Sequence, residues 1–596
     1  MKDTVSRSRW TKRWGVALVV ALTGSAMATT TTHAAKSKYG GEVTVAIGDT
    51  FPGFCVSNIP NHSALGGFRL IYEQLFERTP AGEYVGSLAE SGVPNATLDQ
   101  WTVKIRPGIK FSNGEALNAD AVKLNVDLNA GLYNAQNPST AAAEFATAGK
   151  GYASTGIGVN ANIINVAKID DLTVRFDLDH PQNDFLGILY RAGRYVMRAP
   201  SQLWDPVTKK PNIAPYQTDS TKTCGNYPIG TGPFKFVSFT TDTLVVEKNA
   251  DYWRKNPLNG DKLPYLDKIT FVNVKEPSQR AAAVRKGTVD AGSFATSEAT
   301  FVKGLRTSST VTGYTAQTLW WGQWVPNVNK AGSPFISENC RLAVAHAIDW
   351  KTYNKVRFKG LGDYSGSIVS KGHPMYSLTG SPKYNVALAK DYAAKCRTDL
   401  GKDPSFTLYA DTSTQSQNNV KMVQQYLTAA NMAPGNTYIA EAAVLIGKVY
   451  GGPVTSMDIT EGTPAEGGDS AYVSIFFTSS AFPAGAKSPV AQTAIGKAYS
   501  KVVALSNNSD PEIDKLILAA QAAPTKAAAK TAWAAMTAYL QTHGYLIPSV
   551  HTTFYSFVNK KSNLKGIGKL PIGLSKKKFS ATVTNQGLEW AGIYKG

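Results

Sequence analysis

The chain has 596 residues and 63.9 kDa, with 43% apolar, 10% aromatic and 18% charged residues, a profile that excludes a disordered or fibrous protein. Its 62 Lys and Arg against 43 Asp and Glu leave a formal charge of +19. These charges are spread along the chain rather than gathered into a stripe, so they mark no nucleic-acid surface.

The N-terminus places five basic residues (Lys2, Arg7, Arg9, Lys12, Arg13) before an apolar run over 15–22, then small residues with cleavage candidates ending at Ala28 and Ala34. This reads as an export signal over residues 1–35, with cleavage as early as 28. The run is too short to span a bilayer, and no later stretch of 18 or more uninterrupted apolar residues exists. Ser25 stands where a lipobox keeps its modified Cys, so no lipid anchor is expected. Four cysteines follow, Cys55, Cys224, Cys340 and Cys396. In an oxidising compartment they read as two disulfides with three possible connectivities. Neither C-x-x-C nor His-rich spacing marks a metal site.

Further along, residues 41–47 alternate as a strand, and Leu65, Phe68, Ile71, Tyr72 and Leu75 have helical spacing. Residues 101–106 alternate again, followed by turns at Pro107-Gly108 and at 111–114. Asn118 can cap a helix over 121–128. Ser337 precedes another with Leu342, Ala345 and Ile348 on one face, ending by Gly360. Trp533, Met536 and Leu540 make a last apolar stripe, stopped by Gly544 and Pro548, and Lys576 to Lys578 read as a solvated turn. Walker, G-x-S-x-G, H-E-x-x-H and G-x-G-x-x-G signatures are missing and only seven His are present, which argues against an enzyme.

The segment from Leu98 to Val122, Leu-Asp-Gln-Trp-Thr-Val-Lys-Ile-Arg-Pro-Gly-Ile-Lys-Phe-Ser-Asn-Gly-Glu-Ala-Leu-Asn-Ala-Asp-Ala-Val, resembles the signature of family 5 extracellular solute-binding proteins. These are the oligopeptide, dipeptide and nickel receptors of ABC importers. Asn113 replaces the usual Asp, and Ala121 separates Asp120 from Val122. Pro228-Ile-Gly-Thr-Gly-Pro-Phe234 is similar to P-x-G-T-G-P-Y/F, and 245–253 ends in the N-x-x-Y-W pattern with Tyr252 and Trp253. Pro264-Tyr-Leu-Asp-Lys-Ile269, Arg285-Lys-Gly-Thr-Val-Asp-Ala291 and Asn339-Cys-Arg-Leu-Ala-Val-Ala-His-Ala-Ile-Asp349 follow in the family's order. Gly230, Gly232 and Pro233 read as a turn, and Trp101, Tyr252 and Trp253 as core aromatics.

The resemblance implies an α/β, two-lobed periplasmic-binding-protein-like fold of type II, with an extra peptide-receptor subdomain and a two-crossing hinge. Lobe I is expected over 36–84, 196–317 and 552–596, with an inserted subdomain of lobe I over 85–195, and lobe II, including the hinge crossings, over 318–551. The crossings fall near 318–326 and 546–551. On this map Cys55 pairs with Cys224 and Cys340 with Cys396, because pairing within lobes leaves the hinge free. Two regions are candidate ligand contacts. Leu319-Trp-Trp-Gly-Gln-Trp324 occupies the interlobe strand, where Trp320, Trp321 and Trp324 offer broad surface or else pack as core. In the loop from Asp458 to Ser470, Glu466 stands where the family keeps the acidic residue that pairs with a peptide's α-ammonium, while Thr463 replaces the family's Trp. The implied protein is an exported, periplasmic or extracellular, monomeric, non-enzymatic receptor. It needs no cofactor and binds no nucleic acid, and it meets the membrane only through an ABC importer's permease. A peptide is the favoured ligand, then an oligosaccharide or other amphipathic small molecule. A secreted hydrolase and a basic surface-adhesion protein are the alternatives of other classes.

Overall fold

The computed structural model describes residues 37–573, 582–584 and 587–596, other than 52, 55–61, 134–158, 206, 208–209, 212–226, 317–321, 433, 442–443, 446–447, 449–455, 463–469, 475, 483–484, 494–495, 498–505 and 585–586. The export segment, Cys55, Cys224, Trp320, Trp321, Glu466 and the three-lysine run lie outside the described residues.

Strand Glu42–Ile47 is the middle of a seven-stranded sheet ordered Phe234–Phe239, Thr243–Lys248, Lys268–Asn273, Glu42–Ile47, Ala291–Ala295, Phe554–Asn559, Val311–Thr315. It runs parallel to both neighbours, with Val45 opposite Phe271 on one side and Ala291 on the other. Val43, Val45 and Ile47 point into a core with Phe68 and Leu244, while Ala46 points into a second core with Ala281 and Val284. The alternation of its first residues gives way at Ala46, which is buried as fully as Val45 and Ile47 because the strand is covered on both faces.

The helix expected to reach Leu75 spans His62–Ile71. Its end is fixed by a distant segment. The Gly232 N–H donates to the Ile71 carbonyl at 2.9 Å. A Cβ on Gly230 would stand 2.0 Å from the Ile71 oxygen, and one on Gly232 2.3 Å from that of Leu70. These glycines are required by close approach of the turn to the helix end, where orphan carbonyls need donors.

Ala89–Pro94, Gln100–Ile105, Thr173–Leu178 and Ile163–Asp170 form, in that order, a four-stranded antiparallel sheet. Trp101, Val103 and Ile105 are buried, and Thr102 and Lys104 between them are exposed. Asn118 accepts from the Ala121 N–H at 2.9 Å and starts helix Ala119–Ala130.

Beyond Val311–Thr315, Ser337 caps helix Glu338–Ala347 through the Cys340 N–H. The single helix expected to run toward Gly360 is instead two, because Asp349 turns its carboxylate to the N–H groups of Lys351 and Thr352 and starts Trp350–Arg357 anew. Cys340 and Cys396, both fully buried, form a disulfide between Glu338–Ala347 and helix Val386–Leu400. The largest core joins Trp101, Phe176 and Phe185 of the four-stranded unit to Phe476, Ile517, Trp533 and Met536. Among the described residues no helix is long and apolar enough to cross a membrane.

Candidate functional site

Two segments link the seven-stranded sheet to a three-stranded one. After Val311–Thr315 the chain enters strand Gln323–Pro326, and strand Ile547–Pro548 leads back toward Phe554–Asn559. The crossing strands lie side by side, with Gln323 opposite Pro548 and Trp324 opposite Ile547. Their flanks are bonded too: Ser549 N–H donates to the Gly322 carbonyl at 2.9 Å, and Gly322 N–H to that of Ile368 at 2.9 Å. On the sheet side the Thr296 N–H donates to the Thr553 carbonyl at 2.9 Å, and the Ala316 N–H to that of Phe554 at 2.8 Å.

Of the three candidate indoles, Trp324 is described. It is 8% exposed, its ring centroid 5.9 Å from that of Trp350, within a core that includes Phe335, Ile459 and Ile547. This ring belongs to packed interior rather than to an open wall. Its neighbour Gln323, not singled out from sequence, is fully buried on the alternate face.

The third strand of this sheet, Ile459–Gly462, pairs antiparallel with Gln323–Pro326 and sets Gly462 opposite Gln323. In the sequence Glu466 follows it by four residues. Just before it, the Asp458 carboxylate accepts from Lys330 Nζ at 2.5 Å and from the Thr407 N–H at 2.9 Å, which fixes the strand's start. The described chain resumes at helix Ser470–Ser474, where the Ser470 hydroxyl donates to the Asp184 carboxylate. The two candidate regions, remote in sequence, thus have their bounding residues in one sheet register.

Asp184 belongs to a second contact that sequence reasoning missed. The Asn183 N–H donates to the Gln521 carbonyl at 2.9 Å, and its side-chain amide donates to the carbonyls of Ala520 at 2.8 Å and Ala523 at 2.9 Å. Asn183 thereby satisfies the orphan carbonyls at the end of helix Pro511–Gln521. The Lys487 N–H donates to Asp179 at 2.5 Å, and His180 Nε2 lies 3.2 Å from Gln521 Oε1. Burial holds His180 below the usual imidazole range despite the adjacent Asp179 carboxylate. A cavity of about 70 Å³ lies between these elements, lined by Asn162, His180, Ser474, Asp514 and Gln521 among others.

Three sequence landmarks meet on Glu73, just past the first helix. Its carboxylate accepts from the Tyr252 hydroxyl at 2.7 Å, the Trp253 indole N–H at 2.8 Å and the Thr231 hydroxyl at 2.9 Å. Burial pushes this carboxyl up to about 7, outweighing the three donors that favour its charge. The Thr of the Gly-Thr-Gly turn and the Tyr-Trp pair are therefore parts of one buried polar joint in the seven-stranded unit.

Two α/β halves joined by a paired crossing, with a third unit reaching from one to the other, define the class of two-lobed periplasmic-type binding proteins. Over residues 83–434 the chain matches the bacterial extracellular solute-binding proteins, family 5 Middle, and it belongs to that family. It is 29% identical over 277 residues to the glutathione-binding protein GsiB of Pectobacterium atrosepticum, which covers 46% of this chain and 45% of the relative. The chain spans about half the length of the curated relatives it matches, 45% and 56% for two of them. Among solved structures, it is similar to the periplasmic binding protein DppA of Helicobacter pylori in complex with the peptide STSA, with a TM-score of 0.70, 17% identity and coverage of 94% of this chain and 98% of that one. The dipeptide binding protein of Pseudoalteromonas sp. SM9913 in complex with Met-Leu has a TM-score of 0.69, 18% identity and coverage of 91% and 99%. These two show that the fold is the two-lobed type II one.

Proposed function

We propose that the mature chain is an exported, non-enzymatic receptor that captures a short peptide between its two lobes and delivers it to the permease of an ABC importer. The observation that carries this reading is the paired crossing, whose outer strand Ile459–Gly462 runs directly into the loop with Glu466. A ligand seated against Gly462 would lie beside the crossing strands, where it could touch both halves only in the closed form. Differential affinity then shifts the population toward the closed form. The peptide class is supported by relatives described as glutathione-binding and by fold neighbours holding peptides.

Sheet membership supports the lobe assignment: all seven strands of the large sheet fall within 36–84, 196–317 and 552–596, the four-stranded sheet within 85–195 and the crossing sheet within 318–551. In this reading Glu466 pairs with the peptide's ammonium and Trp320 and Trp321 offer flat area, while Trp324 supports them from the core. Native mass spectrometry of the protein purified without unfolding, with release and sequencing of any adduct, tests the proposal. An intact peptide is the expected product. A cleaved one would indicate a hydrolase, and a neutral sugar would move the ligand class.

A further inference from the structure

Gln323 is fully buried, and neither its side-chain oxygen nor its side-chain nitrogen has a hydrogen-bond partner among the described residues. Other buried glutamines of the chain are bonded. Gln74 Nε2 donates to the Gly193 carbonyl at 2.8 Å, and Gln202 Oε1 accepts from the Ile229 N–H at 3.0 Å. Gln182 Oε1 accepts from Asn162 Nδ2 at 2.8 Å, and Gln541 Nε2 donates to the Thr379 carbonyl at 3.0 Å. A buried amide without a partner is costly, and an apolar side chain of similar size would cost less at such a position. The exception stands at the centre strand of the crossing sheet, with Gly462 on one side and Pro548 on the other. Its backbone is engaged in that ladder, so its polar capacity is all in the side chain. Trp324 points into the core around Trp350, and Gln323 shares the opposite face with Val325, whose core includes Ile368, Val369 and Phe477.

We propose that the Gln323 carboxamide contacts the captured solute by hydrogen-bonding a backbone amide of a bound peptide, an inference that rests on the peptide-receptor reading above. A carboxamide presents a donor and an acceptor in one plane, which matches the N–H and C=O of an extended peptide. An ionised group would call for a charged partner instead.

The test compares wild type with Gln323→Leu and Gln323→Met, using glutathione and an equimolar tripeptide library as probes. Native mass spectrometry detects binding, and calorimetry follows with one tripeptide that binds. The expected result is a ligand-free unfolding midpoint equal to or above wild type in both variants, with affinity for the bound probe reduced at least tenfold. Selective ¹⁵N labelling of glutamine side chains adds a readout in the unaltered protein: the resonance that vanishes in Gln323→Leu should shift when the peptide is added. Unchanged affinity in both variants, or an unshifted resonance, overturns the Gln323 contact and leaves the peptide reading standing. A midpoint lowered by several degrees in both variants overturns it as well, because the carboxamide would then have a structural partner. Failure of wild type to bind any probe overturns the peptide reading itself, and the contact with it.

Discussion

Replacing Glu73 by Gln isolates the energetic consequence of the buried joint. A carboxyl raised from 4.5 to about 7 is more easily kept neutral in the folded chain than in the unfolded one. Its contribution to stability is therefore fully present below pH 4.5 and is lost as the pH rises through 7. At about 1.4 kcal/mol for each tenfold change in the ionisation constant, the loss amounts to roughly 3 kcal/mol. The carboxamide of the Glu73→Gln variant would stay neutral throughout. Its oxygen can face the Trp253 N–H and Thr231 hydroxyl while its amide donates to the Tyr252 oxygen, so the joint keeps its bonds. Urea unfolding of both proteins from pH 4 to pH 8 reads the difference directly, because all other titrating groups cancel in it. The variant should match wild type within about 1 kcal/mol near pH 4 and exceed it by roughly 3 kcal/mol at pH 8. Parallel stability curves would refute the reasoning, since they would mean that the three donors and nearby Arg254 hold Glu73 ionised across the range.

Three further outcomes are expected. Asn183→Ala removes two side-chain hydrogen bonds to the end of helix Pro511–Gln521 and should lower unfolding stability by about 1 to 3 kcal/mol, measured in urea; an unchanged midpoint would show that the contact contributes nothing. Cys340 and Cys396, 56 residues apart, should resist thiol labelling in denatured, unreduced protein, and the double Ala variant should lose about 2 to 4 kcal/mol; labelling of either cysteine in wild type would contradict the pairing. Glu466→Gln should weaken an amine-bearing tripeptide by about 1.5 to 3 kcal/mol, and N-acetylation of that peptide should cost a similar amount in wild type but little more in the variant. Calorimetry of that two-by-two set checks it, and additive losses would remove Glu466 from the ammonium site.

What sequence made legible was local. The alternation over 101–106 and the cap at Asn118 depend on residues a few positions apart, and both elements formed close to where the pattern put them, the strand over Gln100–Ile105 and the helix over Ala119–Ala130 rather than 121–128. The helix end at Ile71 was misplaced because it depends on a Gly232 N–H arriving from elsewhere in the chain. The break at Asp349 was local but ambiguous, since the same apolar spacing continues across it and the capping carboxylate decides. Glu73 lay unnoticed between two landmarks because its partners are 158 to 180 residues away. Asn183 meets its partner carbonyls across 337 and 340 residues, a separation at which no periodicity carries information. Gln323 stood inside the tryptophan-rich strand, where the indoles drew attention; burial without a partner is visible only in three dimensions.

The contact between the four-stranded unit and the second half of the chain also bears on how closure would work. Asn183 and Asp179 anchor that unit to the end of one helix and to Lys487, while Asp184 holds Ser470, the first described residue after the Glu466 loop. The other end of the loop is held by Gly462 in register with Gln323. A peptide bound at Glu466 would therefore load two supports, the crossing sheet and the inserted subdomain. The lobes can open fully only if the bonds at Asn183, Asp179 and Asp184 break, or if the inserted subdomain moves with the second lobe. The core through Phe185, Phe476 and Ile517 also takes in Leu75, Phe76 and Met197 from the spans of the seven-stranded lobe, so the inserted unit is packed against both halves.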